Sequence, residues 1–308
     1  MTVGSILFKL RSKYGRGLRV AYYRDVVRPR ILRTPPVTGL KDNHCEIHVL
    51  TSQQDWLNLL WALKSFYRAS GRRYALCIHD DGTLEENARR ELQCHFPDAR
   101  FIARDDADRT VLPTLEGFPR CRAFRESNHL SPKLFDFRQY LQSDRMLLVD
   151  SDVLFFENPV ELLRRIEDRT YRLNSFNEDD ETAYTVDPQD VLSRFGLIMP
   201  ERFNSGLGLV HADSLMLEWI EDFLALPGIL GHFWRIEQTL YALCSARFGV
   251  ELLPAEYRVS LQAGIENCVA KHYVGPVRHL MYGEGMRTLR QRGFLTASAT
   301  NLNGRIRN

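Results

Sequence analysis

The sequence predicts an open, mostly parallel α/β sheet flanked by helices, preceded by a basic N-terminal extension. Three observations predict it. Strand-length apolar runs alternate with segments of helical period from about residue 45 onward. One of those runs, Met146–Val149, is wholly apolar, as expected at the buried centre of a parallel sheet. The chain has 308 residues, 44% of them apolar, enough for one large domain with a substantial core.

Residues 1–40 hold nine Lys or Arg and one acid, Asp25, whereas the rest of the chain holds 32 basic and 38 acidic residues. Positive charge gathered in one stretch points to an anionic surface as partner. Ile6, Leu7, Leu10, Tyr14 and Leu18 recur at helical spacing, with Lys9, Arg11, Lys13, Arg16 and Arg19 between them. Such a helix suits either an anionic membrane face near a lipid-linked acceptor or a solvated extension packed on the main domain. Pro29, Pro35, Pro36 and Gly39 then read as a linker, which puts the main domain at 41–308.

Glu46–Leu50 reads as a strand and Asp55–Ala69 as a helix with Trp56, Leu60, Leu63 and Tyr67 on one face. Tyr74–Ile78 is a second strand, ended by the turn residues Asp80, Asp81 and Gly82. A Glu- and Arg-rich helix then runs to about Cys94. Leu134–Leu141 is helical, and Arg145–Val149 is the buried strand. Ligands of such sheets collect at the carboxyl ends of the strands. There the sequence places Asp150 and Asp152, before a second apolar run, Val153–Phe156. Two carboxylates one residue apart at the mouth of a buried sheet form a hard oxygen site for Mg²⁺ or Mn²⁺. The alternative is a turn in which one Asp caps a helix near Pro159. Glu237 falls on an otherwise apolar helical face with Phe233, Leu240, Tyr241, Cys244 and Phe248, so it needs a partner or lines a site. His44 and His48 flank a buried strand and read as structural, and the run Glu178–Glu181 as a solvated loop.

The segment LLVDSDVLFFENP resembles the Asp-x-Asp strand-turn of GT-A-fold (Rossmann-like) glycosyltransferases, in particular the glycogenin- and galactosyltransferase-like retaining families. RFNSGLGLVHAD, IEQTLYAL and KHYVGPVRHLMYG follow in the order those families show. The resemblance spans about residues 45–285. It implies a metal held by Asp150, Asp152 and His272, with Mn²⁺ or Mg²⁺ as cofactor. It places Asn204, Ser205 and Gly206 beside the donor sugar, Glu237 and Gln238 as an acidic-Gln pair opening a helix, and Gly275 close to phosphate. Arg278 stands where the families carry Lys, and Arg278-His279-Leu280 replaces their Lys-Pro-Trp. Lys133 matches a basic position that reaches the diphosphate, and Thr51 joins the donor-facing set.

Together these imply transfer of a sugar from a nucleotide-diphospho-sugar, a UDP-sugar by resemblance, to a glycan or lipid-linked hydroxyl acceptor with retention. Glycan, lipopolysaccharide or glycolipid assembly is the setting they suggest. Glu237 and Asn204 are the candidate catalytic residues. A haloacid-dehalogenase-type phosphohydrolase is excluded because ALCIHDDGTL has His79 where the nucleophilic Asp must stand. A sugar nucleotidyltransferase lacks its triphosphate-cradling loop here. The other alternative is a catalytically silent sugar- or polyanion-binding relative. Nothing beyond the charged extension points to nucleic acid. Cys45, Cys77, Cys94, Cys121, Cys244 and Cys268 show no paired metal-ligand spacing and read as reduced thiols. With no secretory pattern at the start, this places the chain in the cytoplasm, peripheral to the membrane if the extension binds one.

Overall fold

A computed structural model of the chain describes residues 14–296, and the side chains of all of these but 42–44. The helix-spaced residues Ile6 to Lys13 of the basic stretch, and the His44 side chain, therefore lie outside the described residues. Seven strands form one sheet in the order β3-β2-β1-β4-β7-β6-β8. Their ranges are β1 Asp42–Thr51, β2 Tyr74–Asp80, β3 Arg100–Ile102, β4 Arg145–Val149, β6 Asn174–Glu178, β7 Phe203–His211 and β8 Val250–Leu252. Only β7 runs against its neighbours. The carboxyl ends of β1, β4 and β6 and the amino end of β7 thus meet along one edge. A separate two-stranded ribbon pairs β5 (Val153–Phe155) with β9 (Ala270–His272).

The apolar run in β4 follows from its position. Leu147 and Val149 pack into the core on one face of the sheet, Met146 and Leu148 into the core on the other. A strand covered on both faces has no polar side to show. Arg145, at its start, is buried too and donates to the carbonyls of Arg165, Ile166 and Asp168.

The expected helices form as α1 (Trp56–Ser70), α2 (Glu86–His95), α3 (Pro132–Tyr140) and α4 (Ile236–Phe248). Helix α1 is buried over more than the single face its period suggested: Leu59, Trp61 and Lys64 are enclosed along with Leu60, Leu63 and Tyr67. The reason lies in the basic stretch. Residues 18–33 are helical and pack on α1, with Val27 and Ile31 fully buried. The Trp61 indole N–H donates to the Arg28 carbonyl at 3.0 Å. The Lys64 ammonium, with three protons to place, meets the Thr34 hydroxyl, the Pro35 carbonyl and a His95 ring nitrogen at 2.7–2.9 Å. The described part of the basic stretch, Pro35 included, is therefore held on the domain. Among the described residues no helix is long and apolar enough to cross a membrane.

Candidate active site

Asp150 and Asp152 sit in the tight turn from β4 into β5. The backbone N–H of Asp150 donates to the Gly206 carbonyl on β7 at 2.8 Å, and that of Val153 to the Asp150 carbonyl at 3.1 Å. The cap near Pro159 involves neither aspartate: the helix there, Val160–Glu167, starts without a side-chain cap. Antiparallel pairing of β5 with β9 places Val153 opposite His272, and the Tyr273 N–H donates to the Asp152 carbonyl at 2.9 Å. Residues 120 positions apart in the chain thereby converge. His272 Nε2 lies 3.0 Å from Asp152 Oδ1 and 3.9 Å from Asp150 Oδ2, and the three ligating atoms all fall within 4.8 Å of one another.

The hydrogen bonds also determine which way the imidazole faces. Asn204 Nδ2 donates to Asp179 Oδ2 at 2.7 Å, so its Oδ1 is the acceptor, taking the Gly206 N–H at 2.9 Å and His272 Nδ1–H at 2.8 Å. His272 Nε2 consequently turns its lone pair toward the two carboxylates. Lone pairs that face one another this way need a cation between them. The donor set, two carboxylates and an oriented imidazole, fits Mn²⁺ or Mg²⁺. Without a metal, a proton fills that position. Burial alone would lower the His272 pKa, but Asp152 and Asp150 outweigh it and raise it. Burial would raise the Asp152 pKa, and His272 and Arg278 instead hold it below the ordinary carboxylate range.

Gly206 is required here by His272. A Cβ on it would stand 2.1 Å from the imidazole.

Lys133 is buried at the start of α3. Its ammonium lies 2.5 Å from Asp150 Oδ1 and 3.6 Å from Glu237 Oε1. Arg278 reaches Asp152 Oδ2 at 2.7 Å and Asp55 Oδ1 at 3.2 Å, with 40% of its side chain exposed. Among the described residues Asp55, Asp150 and Asp152 share Lys133, Arg278 and the His272 imidazole, and a divalent cation would take the place of the proton on His272.

Glu237, in the first turn of α4, is buried and accepts from the Ser205 hydroxyl at 3.1 Å. Burial pushes its carboxyl up to about 7, with Lys133 opposing and Asp150 adding. Phe233, expected on the same helical face, precedes the helix and is largely exposed. Gln238 donates to the Ala183 carbonyl at 3.2 Å, tying down the loop after β6. Thr51, at the end of β1, is buried with no hydrogen-bond partner for its hydroxyl. Gly275 is exposed, and nothing lies within 4 Å of where its Cβ would be.

Two contributors escaped the sequence reading. Asp55 flanks Arg278, and Asp179 orients Asn204 from the run read as solvated loop. A carboxylate in a turn gives no local sign of a partner that is 25 or more residues away. The exposed acidic run itself was the only signal.

No protein family matches the sequence, and no curated protein matches it significantly. Solved structures do resemble it. The galactosyltransferase LgtC, in complex with donor and acceptor sugar analogues, superposes with a TM-score of 0.51 at 16% identity, over 82% of this chain and 96% of that one. Mouse xyloside xylosyltransferase 1 gives 0.51 at 14% identity over 74% and 97%. The bifunctional glycosyltransferase WbbM gives 0.52 at 12% identity over 83% of this chain and 53% of that one. The architecture is the GT-A fold.

Proposed function

We infer that the chain is a metal-dependent glycosyltransferase that moves a sugar from a nucleotide-diphospho-sugar to a hydroxyl acceptor. One observation carries the reading: Asp150, Asp152 and an imidazole oriented by Asn204 converge at the carboxyl edge of a GT-A sheet. That edge is where open α/β sheets bind ligands. Bound there, Mn²⁺ or Mg²⁺ would supply charge to the departing diphosphate.

The protein's own groups would do the rest. Arg278, half-exposed and bonded to Asp152, turns from the carboxylate to the diphosphate when the donor binds. Lys133 stays buried against Asp150. Asn204, Ser205 and Glu237 face the sugar, and Glu237, with a pKa of about 7, offers a proton to a sugar hydroxyl or takes one from it. Thr51 and Gly275 border the nucleotide and phosphate, while Gln238 holds the loop after β6. By resemblance to galactosyltransferase-like enzymes the donor is a UDP-sugar and the anomeric configuration is retained. The acceptor is a glycan or lipid-linked glycan on the cytoplasmic side of a membrane.

A thermal-shift screen of nucleoside diphosphates and nucleotide sugars, with and without Mn²⁺, tests this directly, because a ligand that binds only the folded state raises Tm. The expected result is a metal-dependent shift with one nucleotide, and turnover of its sugar conjugate. A second reading, a catalytically silent relative, draws on the ion pairs that cover both aspartates with protein cations. Under it, nucleotide sugars bind without turnover.

A further inference from the structure

We propose that the chain carries a second, separate metal site, in which His48, Cys77 and His79 bind one Zn²⁺ between strands β1 and β2.

The parallel register sets His48 opposite Cys77, and His79 follows two residues on, on the same face of β2. All three are buried. His48 Nδ1 lies 3.1 Å from His79 Nε2, and Cys77 Sγ lies 3.3 Å from that same nitrogen. The three atoms are within 4.8 Å of one another. In a tetrahedral zinc site, metal–nitrogen bonds of about 2.05 Å and metal–sulfur bonds of about 2.3 Å put neighbouring ligand atoms roughly 3.3–3.6 Å apart. The two separations to His79 Nε2 reach that geometry by opening a few tenths of an ångström.

The surrounding hydrogen bonds assign the protons. Glu46 accepts from Arg100 on Oε1 and from the Gln142 N–H on Oε2, which marks it as an ionised acceptor. His48 Nε2, 3.1 Å from Oε2, must then be the donor, and His48 Nδ1 points a lone pair at His79 and Cys77. A carboxylate behind an imidazole in this way is the usual support of a zinc ligand. Without a metal, a proton on His79 Nε2 is shared between His48 Nδ1 at 3.1 Å and the Cys77 sulfur at 3.3 Å, and His79 Nδ1 is buried with no hydrogen-bond partner. One cation satisfies all three lone pairs. Phe137 of α3 covers the cluster, its ring centroid 5.3 Å from that of His48 and 4.6 Å from that of His79. Imidazole and thiolate ligands select zinc over the hard ions suited to Asp150 and Asp152. On binding, the Cys77 thiol loses its proton to solvent and the thiolate donates its electron pair to the metal. A metal held here would pin β1 to β2 beneath the helix that carries Lys133.

The test is Co²⁺ titration and zinc analysis of the full chain in the Asp152→Asn background, which removes the carboxylate site. We expect one zinc per chain retained against a weak chelator and a cobalt–thiolate charge-transfer band. Zn²⁺ should bleach that band, and Cys77→Ser should abolish it. In the unsubstituted chain, Zn²⁺ should slow alkylation of Cys77 by at least tenfold, a readout that does not depend on the variant folding. No thiolate band and no protection in the unsubstituted chain overturn the proposal, as does a band unchanged in a folded Cys77→Ser. Donor turnover has no part in these readouts, so their failure leaves the glycosyltransferase reading intact.

Discussion

At the scale of single residues, the site depends on where protons and lone pairs face. Asp152 accepts from Arg278 at 2.7 Å on one oxygen and lies 3.0 Å from His272 Nε2 with the other. Asp152→Asn should keep the fold and lower metal-dependent donor turnover by at least 100-fold, read by nucleotide release with and without Mn²⁺. Gly206→Ala brings a methyl group into the His272 ring and should weaken metal binding by about 10–100-fold, the usual cost of disturbing a ligand's support, measured by calorimetry. Glu237 predicts a pH dependence. Its folded pKa of about 7 lies above that of an exposed glutamate, so folding favours its protonated form. That contribution is fully present below the unfolded pKa and is lost as pH rises through about 7, at most about 3–4 kcal/mol. Urea midpoints of the metal-free protein from pH 5 to 8 should decline, and Glu237→Gln should flatten the decline.

At the scale of elements, α3 and the β5–β9 ribbon position the charges. Lys133 enters the site because α3 is anchored by a buried pair: Asp136 accepts from Arg125 at 2.6 and 2.8 Å. Removing Asp136 leaves the buried Arg125 with the part-exposed Asp108, 2.9 Å away, as its remaining carboxylate, and loss of a buried partner costs up to about 3–5 kcal/mol. Asp136→Ala should therefore lower stability by that order in urea melts. It should also reduce kcat where Lys133 loses its place. The ribbon works differently. It delivers His272 by register, and a slip of one residue would turn the imidazole to the opposite face. The strand and helix positions were readable from period and composition, because those depend on neighbours a few residues away. The extent to which α1 is enclosed was not. It arises from the residue 18–33 stretch lying across it, a contact between segments about 30 residues apart.

At the scale of the whole molecule, the basic N-terminal stretch joins two questions, stability and location. Val27, Ile31, Val37 and Leu40 belong to the core, each contributing on the order of 1.5–3 kcal/mol. A chain that begins at residue 41 should melt far below the full chain, by several kcal/mol. Vesicle flotation should accordingly compare the full chain with one lacking residues 1–13, which leaves those contacts in place. Binding to anionic vesicles that falls away on this deletion and on adding salt supports the peripheral reading. Equal partitioning of the two chains removes it.

The α/β alternation, the buried strand, the Asp-x-Asp turn and the anomalous Glu237 are all legible in the chain's residues. Each is written within a few neighbouring positions, where side-chain period and the cost of burying charge can be read directly. The family resemblance pointed to His272 as the partner of the aspartates; how the three meet, and that Asn204 orients the ring, is decided by the tertiary structure. It alone turned Asp55 and Asp179 inward and gathered His48, Cys77 and His79 into one cluster. These outcomes rest on sheet order and strand register, which are set by the summed packing of the whole core, and no local stretch of sequence encodes that sum.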